Sequence, residues 1–275
     1  MPFVTTHSSP PVQLYFEDHG SGQPVVLVHG WPLSHRMWEN QVTALVEAGF
    51  RCIAYDRRGF GESDRPSVGY DYDTFANDLH DVITTLDLKD VILAGFSMGG
   101  GEVARYLGSH GSDRIAKAMF ISSVTPFMLG TPDNPTGADL SLFEGMMAGV
   151  KKDRVAFLAA FFPNFFNDTG QADFPADAIA YAKSIAWRAS PVGTLECIRA
   201  FGTTDFRADL AQITVPVLVI HGTSDAIVPF EISGELTAAV IPGSQLVMIE
   251  GGSHGLPVTH PEQLTTAMVR FAKES

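Results

Sequence analysis

Val91-Ile92-Leu93-Ala94-Gly95-Phe96-Ser97-Met98-Gly99-Gly100-Gly101 joins an apolar run to a glycine-flanked serine and a glycine-rich helix start. Its first four residues read as a buried strand, Gly95 to Gly99 as a G-x-S-x-G turn, and the residues beyond as the start of a helix. A strained turn that presents a serine hydroxyl at its tip leaves no room for side chains two positions to either side, so glycine is required at 95 and 99. The pentapeptide alone is a weak signal; the apolar strand before it and the helix after it make it specific. The bland alternative is a glycine turn with a serine helix cap. A second parse, Gly99-x-Gly101-x-x-Ala104 as a dinucleotide fingerprint, fails because those glycines fall inside the helix and the strand is not the first of the sheet.

On both sides of it, apolar runs bounded by turn residues recur at Val25 to Val28, Cys52 to Tyr55, Ala118 to Ile121, Val217 to Ile220 and Leu246 to Ile249, and read as buried strands. Between them Met37 to Ala48, Thr74 to Leu86, Gly99 to Ser109, Glu231 to Val240 and Pro261 to Lys273 carry helical periodicity. Alternating strands and helices predict an α/β fold with a mostly parallel central sheet flanked by helices. Val12 to Asp18 is predicted as an edge strand. Between about Thr125 and Ile213 the alternation stops and phenylalanine-rich helical segments take over, among them Phe157-Leu158-Ala159-Ala160-Phe161-Phe162 and Phe165-Phe166. This predicts a helical cap over residues 125–213, inserted before the last two strands of a core made of residues 1–124 and 214–275. Its aromatics either form the cap's own core or line a substrate pocket. Gly130 to Gly137 reads as a surface loop.

The 275 residues are 45% hydrophobic and 18% charged, with no run near the roughly 18 apolar residues of a membrane helix. A soluble protein is expected, and a cytoplasmic one, since MPFVTTHSSP has neither the basic region nor the apolar core of a signal peptide. Two cysteines, Cys52 and Cys197, are too few for a disulfide scaffold and are expected reduced and buried. Eighteen basic against 31 acidic residues leave a net charge of −13, which repels phosphate backbones and anionic membrane surfaces. Nucleic acid and membrane are therefore excluded as partners. Neutral small molecules are the expected substrates, with the pair Arg57 and Arg58 as a local exception to the field. Homo-oligomerisation is compatible with everything above.

A serine hydroxyl is a poor nucleophile until a base within hydrogen-bond reach takes its proton and an acid orients that base. After the strand Val217 to Ile220 comes His221-Gly222-Thr223-Ser224-Asp225, and after Leu246 to Ile249 comes Glu250-Gly251-Gly252-Ser253-His254. Loops leaving the carboxyl ends of parallel strands gather on the edge that also presents Ser97, so these distant positions can converge. Of nine histidines, His254 is the predicted base. His29 and His221 read as local network residues and His260 as a helix start. Asp225 is the predicted acid; Asp56, its main rival, is expected to brace its own loop, and Asp205 and Asp209 to be solvated. An oxyanion needs backbone donors, and Met98 N–H and Trp31 N–H are the candidates, since Pro32 has none. Pro32 is itself a candidate for selectivity between water and peroxide. It constrains the Trp31 peptide, whose carbonyl, turned inward, would accept a hydrogen bond from the distal hydroxyl of attacking peroxide. No HExxH motif and no clustered Cys/His set occurs, so neither a metal nor a cofactor is predicted.

His29-Gly30-Trp31-Pro32-Leu33, Tyr55-Asp56-Arg57-Arg58-Gly59-Phe60-Gly61-Glu62-Ser63, Gly69-Tyr70-Asp71-Tyr72-Asp73-Thr74-Phe75, Gly95-Phe96-Ser97-Met98-Gly99 and Gly252-Ser253-His254-Gly255, with Asp205-Phe206-Arg207, resemble the family of cofactor-free haloperoxidases, aryl esterases and γ-lactamases. The resemblance runs over nearly the whole chain. It implies a capped α/β-hydrolase fold, hydrolysis of small esters, lactam opening in some members, and perhydrolysis, in which hydrogen peroxide replaces water and the released peracid oxidises halide. The chain departs from its look-alikes at Gly100, where some carry threonine. The expected function is a serine esterase acting through an acyl-enzyme, with perhydrolase activity, on a small ester, lactam or carboxylic acid and hydrogen peroxide. A γ-lactamase or amidase, a serine-dependent lyase or C–C hydrolase, and a non-catalytic receptor of the same fold are the alternatives.

Overall fold

A computed structural model describes residues 2–167 and 176–274. Among these residues one sheet is built from β1 (Phe3–Thr5), β2 (Gln13–Gly20), β3 (Pro24–Val28), β4 (Arg51–Tyr55), β5 (Val91–Phe96), β6 (Ile115–Ile121), β7 (Val217–Gly222) and β8 (Gln245–Ile249). Their spatial order is β1-β2-β4-β3-β5-β6-β7-β8. From β4 to β8 every pairing is parallel, while β1–β2 and β2–β4 are antiparallel. Strands β5 and β7 are buried at every position, which is why they read as unbroken apolar runs and not as alternation. The predicted edge strand is instead the second one. Phe3–Thr5 pairs outside it in the register Phe3↔Tyr15, Val4↔Leu14 and Thr5↔Gln13, and three residues are too few to show a period.

The helices are α1 (Glu39–Glu47), α2 (Tyr72–Thr85), α3 (Met98–His110), α4 (Leu140–Phe166), α5 (Ala176–Trp187), α6 (Pro191–Thr203), α7 (Arg207–Leu210), α8 (Gly234–Val240), α9 (Leu256–Thr259) and α10 (Pro261–Lys273). Helix α1 packs with α10, and α2 with α3. In α2, Phe75, Ala76, Leu79, Val82 and Ile83 are buried, a spacing of three to four residues that makes one apolar stripe. Each large side chain so buried stabilises the fold by about 1.5–3 kcal/mol. Asp71 begins the helix by accepting from Thr74 N–H at 2.9 Å.

Helices α4 to α7 lie between β6 and β7. Helix α4 is two helices joined at a kink: Asp153 has φ −160 and ψ 94, and its carboxylate accepts from Ala156 N–H at 2.9 Å, capping the second half. The expected loop at 130–137 is more than a surface excursion. Asn134 is buried and donates to the carbonyls of Phe127 (3.0 Å) and Leu129 (2.8 Å), pinning the segment to the end of β6's connection. Among the described residues no helix is long and apolar enough to cross a membrane. Both cysteines are buried free thiols.

The chain runs from β3 to β4 on one side and later enters β5 on the other, so the strand order reverses between β3 and β5. The loops leaving their carboxyl ends open a crevice there, and these are the loops that hold His29 to Leu33 and Ser97.

Candidate active site

Ser97 stands between β5 and α3 with φ 54 and ψ −119, a left-handed conformation costing about 1–3 kcal/mol in a residue with a Cβ. The surroundings hold it there. Ser97 N–H donates to Ile121 O at 2.8 Å and Ser97 O accepts from Gly100 N–H at 2.9 Å. A Cβ on Gly95 would lie 2.5 Å from Gly99 O, and one on Gly99 2.3 Å from Val28 O, so the turn closes only with glycine at both places. Gly100 has a different neighbour: a Cβ there would stand 2.1 Å from Ser123 Oγ, which fills the room a larger residue takes.

The structure brings the three distant candidates together. His254 Nε2 lies 2.9 Å from Ser97 Oγ, and His254 Nδ1 lies 2.7 Å from Asp225 Oδ2. All three are buried. The other oxygen of Asp225 accepts from Ile227 N–H (3.0 Å) and Val228 N–H (2.8 Å), so the turn after β7 fixes the rotation of the carboxylate. Burial alone would raise its pKa, but the opposing charge of His254 and the hydrogen bonds from His221 and His254 outweigh burial and hold it well below the ordinary carboxylate range. Asp225 is thus ionised at neutral pH. The His254 ring is steered by an edge contact with Phe165 and a tilted one with Phe96, with centroids 4.9 and 5.1 Å away, and its loop is tied to α4 by Gly255 N–H donating to Phe165 O at 2.9 Å.

Of the two candidate oxyanion donors, Met98 is the first residue of α3, where an N–H has no acceptor within its own helix. Trp31 lines the same cavity as Ser97 and His254, and its indole donates to Thr194 O at 3.0 Å, linking the loop to α6. The loop approaches Ser97 closely because residue 30 is glycine: a Cβ there would meet Phe96 at 2.6 Å and Ser97 Cβ at 3.1 Å. Pro32 is buried, is joined to Trp31 by a cis peptide bond, and is not among the described residues that line the cavity.

Behind the loop lies a network of which the sequence showed only the residues. His29 Nδ1–H donates to Gly30 O at 2.9 Å, and His29 Nε2 accepts from Arg57 N–H at 3.0 Å. Burial and then the charge of Arg57 depress the His29 pKa to about 3, so this histidine is a neutral connector. Arg57 Nη2 also donates to His29 O at 2.9 Å, and Arg57 Nε to Glu102 at 2.6 Å. Arg58 is buried against Asp78 at 2.6 Å. The pair is therefore not free to make a local exception to the acidic field, since each guanidinium is already matched by a buried carboxyl group. Asp56 accepts from His35 N–H (2.7 Å), His35 Nδ1 (2.8 Å) and Glu62 N–H (2.9 Å), bracing its own loop. Asp209, expected to be solvated, is half-buried and paired with Arg105 Nε at 3.0 Å.

A cavity of about 370 Å³ opens over Ser97 and His254. Its walls are Val124 and Met128 after β6, Phe143, Met146, Phe157, Phe161 and Asn164 of α4, Phe201 of α6, and Ala226 to Val228 beside Asp225. Among the described residues the inserted aromatics therefore divide: Phe143, Phe157, Phe161 and Phe201 face the cavity, while Phe162 is fully buried outside its lining, against Phe165 and Phe166. Among the described residues no three His, Cys, Asp or Glu side chains converge to hold a metal ion.

The sequence model of the family described as alpha/beta hydrolase fold matches residues 23–261. A non-heme chloroperoxidase from Kitasatospora aureofaciens is 41% identical over 93% of this chain and 93% of its own. A bifunctional esterase/perhydrolase from Acinetobacter calcoaceticus is 34% identical over 99% of this chain and 100% of its own. The crystal structure of a bromoperoxidase from Bacillus anthracis superposes with a TM-score of 0.95 at 50% identity, covering 99% of each chain. With a buried Ser-His-Asp series on the carboxyl edge of its sheet, this chain belongs to the α/β-hydrolase family.

Proposed function

We propose that the protein hydrolyses small carboxylic esters through an acyl-enzyme on Ser97 and forms peracids when hydrogen peroxide takes the place of water. The observation that carries this reading is the continuous Ser97–His254–Asp225 series, at 2.9 and 2.7 Å, opening into a mostly apolar cavity. Ser97 Oγ attacks the carbonyl carbon while His254 Nε2 takes its proton; Asp225 accepts from Nδ1–H and stabilises the imidazolium. Trp31 and Met98 N–H meet the oxyanion. His254 returns the proton to the leaving alcohol, and water or peroxide then attacks the acyl group with His254 as base. The names of the chloroperoxidase and esterase/perhydrolase relatives support the peroxide branch. Residues 125–213 act as a cap whose phenylalanines select short acyl chains, and Pro32 biases the deacylation toward peroxide.

The test is a panel of p-nitrophenyl esters from acetate to laurate, a γ-lactam, and acetate with hydrogen peroxide, bromide and a halogen-sensitive dye. Short esters are expected to give the highest kcat/KM, and bromination to require both carboxylate and Ser97. A kcat/KM that keeps rising to laurate, or bromination at full rate without carboxylate, contradicts the reading.

A further inference from the structure

The cavity over Ser97 holds two thioethers. Met128 is 5% exposed and sits on the segment that leaves β6 beside Ser97, where Val124 N–H donates to Ser97 O at 3.3 Å. Its backbone is fixed by Ala138 N–H donating to Met128 O at 2.7 Å. Met146 lies on the first half of α4, and both residues share the cavity with Ser97 and His254. After a cysteine thiolate, the thioether of methionine is the side chain that a peroxy oxidant readily oxidises. Neither thiol of this chain lines the cavity, and burial pushes Cys52 up to about 12 and Cys197 upward as well, so no thiolate competes.

We propose that Met128 and Met146 are self-modification sites, at which the peracid made on Ser97 converts the thioethers to sulfoxides before it leaves the cavity. The inference rests on the perhydrolase reading, because the oxidant is that reaction's product. The terminal peroxy oxygen bonds to sulfur as the O–O bond breaks. The peroxy proton passes to the carbonyl oxygen and the carboxylic acid departs. Sulfur loses two electrons and the peroxy oxygen gains them, so no further reactant is needed. The new S=O dipole faces a largely apolar wall that offers it few donors, and apolar acyl groups bind less well there. Turnover in peroxide then decays as the cavity is modified, while hydrolysis in water leaves it intact.

Three methionines away from the cavity serve as internal references. Met119 and Met268 are fully buried elsewhere, and Met248 is 56% exposed on β8. The full-length protein is incubated with acetate and hydrogen peroxide, without halide, in the presence of a methionine-rich peptide too large for the cavity that consumes peracid in bulk solution. Peracid formation is followed in a parallel sample by bromination of a dye, and the protein is then mapped by peptide mass spectrometry. Met128 and Met146 are expected to gain one oxygen each while the scavenger protects Met248. Leaving out acetate, or using Ser97→Ala, is expected to lower that gain by about tenfold or more. Peracid formation with Met128 and Met146 unmodified overturns the inference and leaves the proposed function standing. Equal oxidation of the two in Ser97→Ala with peroxide alone overturns it too, by showing that bulk peroxide suffices. Absence of peracid overturns both readings together.

Discussion

Replacing Asp225 with asparagine keeps the shape of the side chain and turns one acceptor into a donor, and the structure dictates which one. Ile227 and Val228 N–H both point at Oδ1, at 3.0 and 2.8 Å, so the amide oxygen of the substituted side chain takes that position. The opposite rotamer sets an NH₂ group against two N–H donors and leaves both unpaired, which costs about 1–3 kcal/mol for the buried Val228 N–H alone. The NH₂ group therefore occupies the Oδ2 position, 2.7 Å from His254 Nδ1. To meet it, Nδ1 becomes the acceptor and the imidazole proton moves to Nε2, 2.9 Å from Ser97 Oγ. A base that already carries its proton on the side facing the nucleophile cannot take another. His221 offers no second acceptor, because its Nε2 is engaged with Val228 O at 2.8 Å. The same exchange in a well-studied serine protease lowers kcat about 10⁴-fold, equivalent to about 5 kcal/mol of transition-state stabilisation. For Asp225→Asn we expect a fall of that order in kcat for p-nitrophenyl acetate at neutral pH, with near-wild-type folding by circular dichroism. A kcat within about tenfold of wild type would refute the assignment of Asp225 as the group that sets the His254 tautomer.

Three further outcomes follow from other parts of the site. Gly100→Ala places a Cβ 2.1 Å from Ser123 Oγ, which is held at 2.8 Å by Thr125 Oγ1 and accepts from Thr125 N–H at 3.2 Å, so overpacking is expected to cost about 1–3 kcal/mol in urea unfolding; an unchanged midpoint contradicts this. Pro32→Leu is expected to lower the ratio of perhydrolysis to hydrolysis on one acyl donor by roughly 2- to 13-fold, the worth of one hydrogen bond made only to attacking peroxide, and to leave ester hydrolysis within about threefold; an unchanged ratio leaves Pro32 a structural residue. Burial raises the Asp56 carboxyl pKa, but the hydrogen bond and charge of His35 outweigh burial and leave it below its ordinary value. A depressed folded-state pKa contributes stability above the unfolded value of about 3.9 and loses it as pH falls through the folded one, so wild type should exceed Asp56→Asn at neutral pH and the gap should close below about pH 4. A gap that stays constant down to acid unfolding is the contrary result.

The buried strands were legible because β5 and β7 are covered on both faces and spell continuous apolar runs, and Ser97 was legible because its turn tolerates only glycine at 95 and 99. Asp225 could be picked out because it follows β7, and His254 because it follows the apolar run of β8, both at the sheet edge that presents Ser97, although the run of β8, read as buried, leaves Leu246 and Met248 exposed. What escaped was set by pairings across long sequence distances. Arg57 and Arg58 look like a surface charge pair until Glu102 and Asp78 are seen to bury them, and Asp209 looks solvated until Arg105 meets it. Strand β1 is too short to carry a period, and the break in α4 at Asp153 rests on a side-chain cap that composition does not distinguish from an exposed helical aspartate. The division of the inserted phenylalanines between cavity and packing is likewise a property of the helix faces in three dimensions. It could not be read from their clustering along the chain.

The covalent intermediate is the most direct test. The protein is mixed with the p-nitrophenyl ester of a slowly deacylating acid, quenched in acid within the burst, and digested for mass spectrometry. The predicted result is one acyl group on the peptide that holds Ser97, absent from Ser97→Ala, whose kcat falls about 10⁴- to 10⁶-fold. An acyl group carried by another residue, or a Ser97→Ala protein that keeps more than about a tenth of wild-type activity, would contradict it.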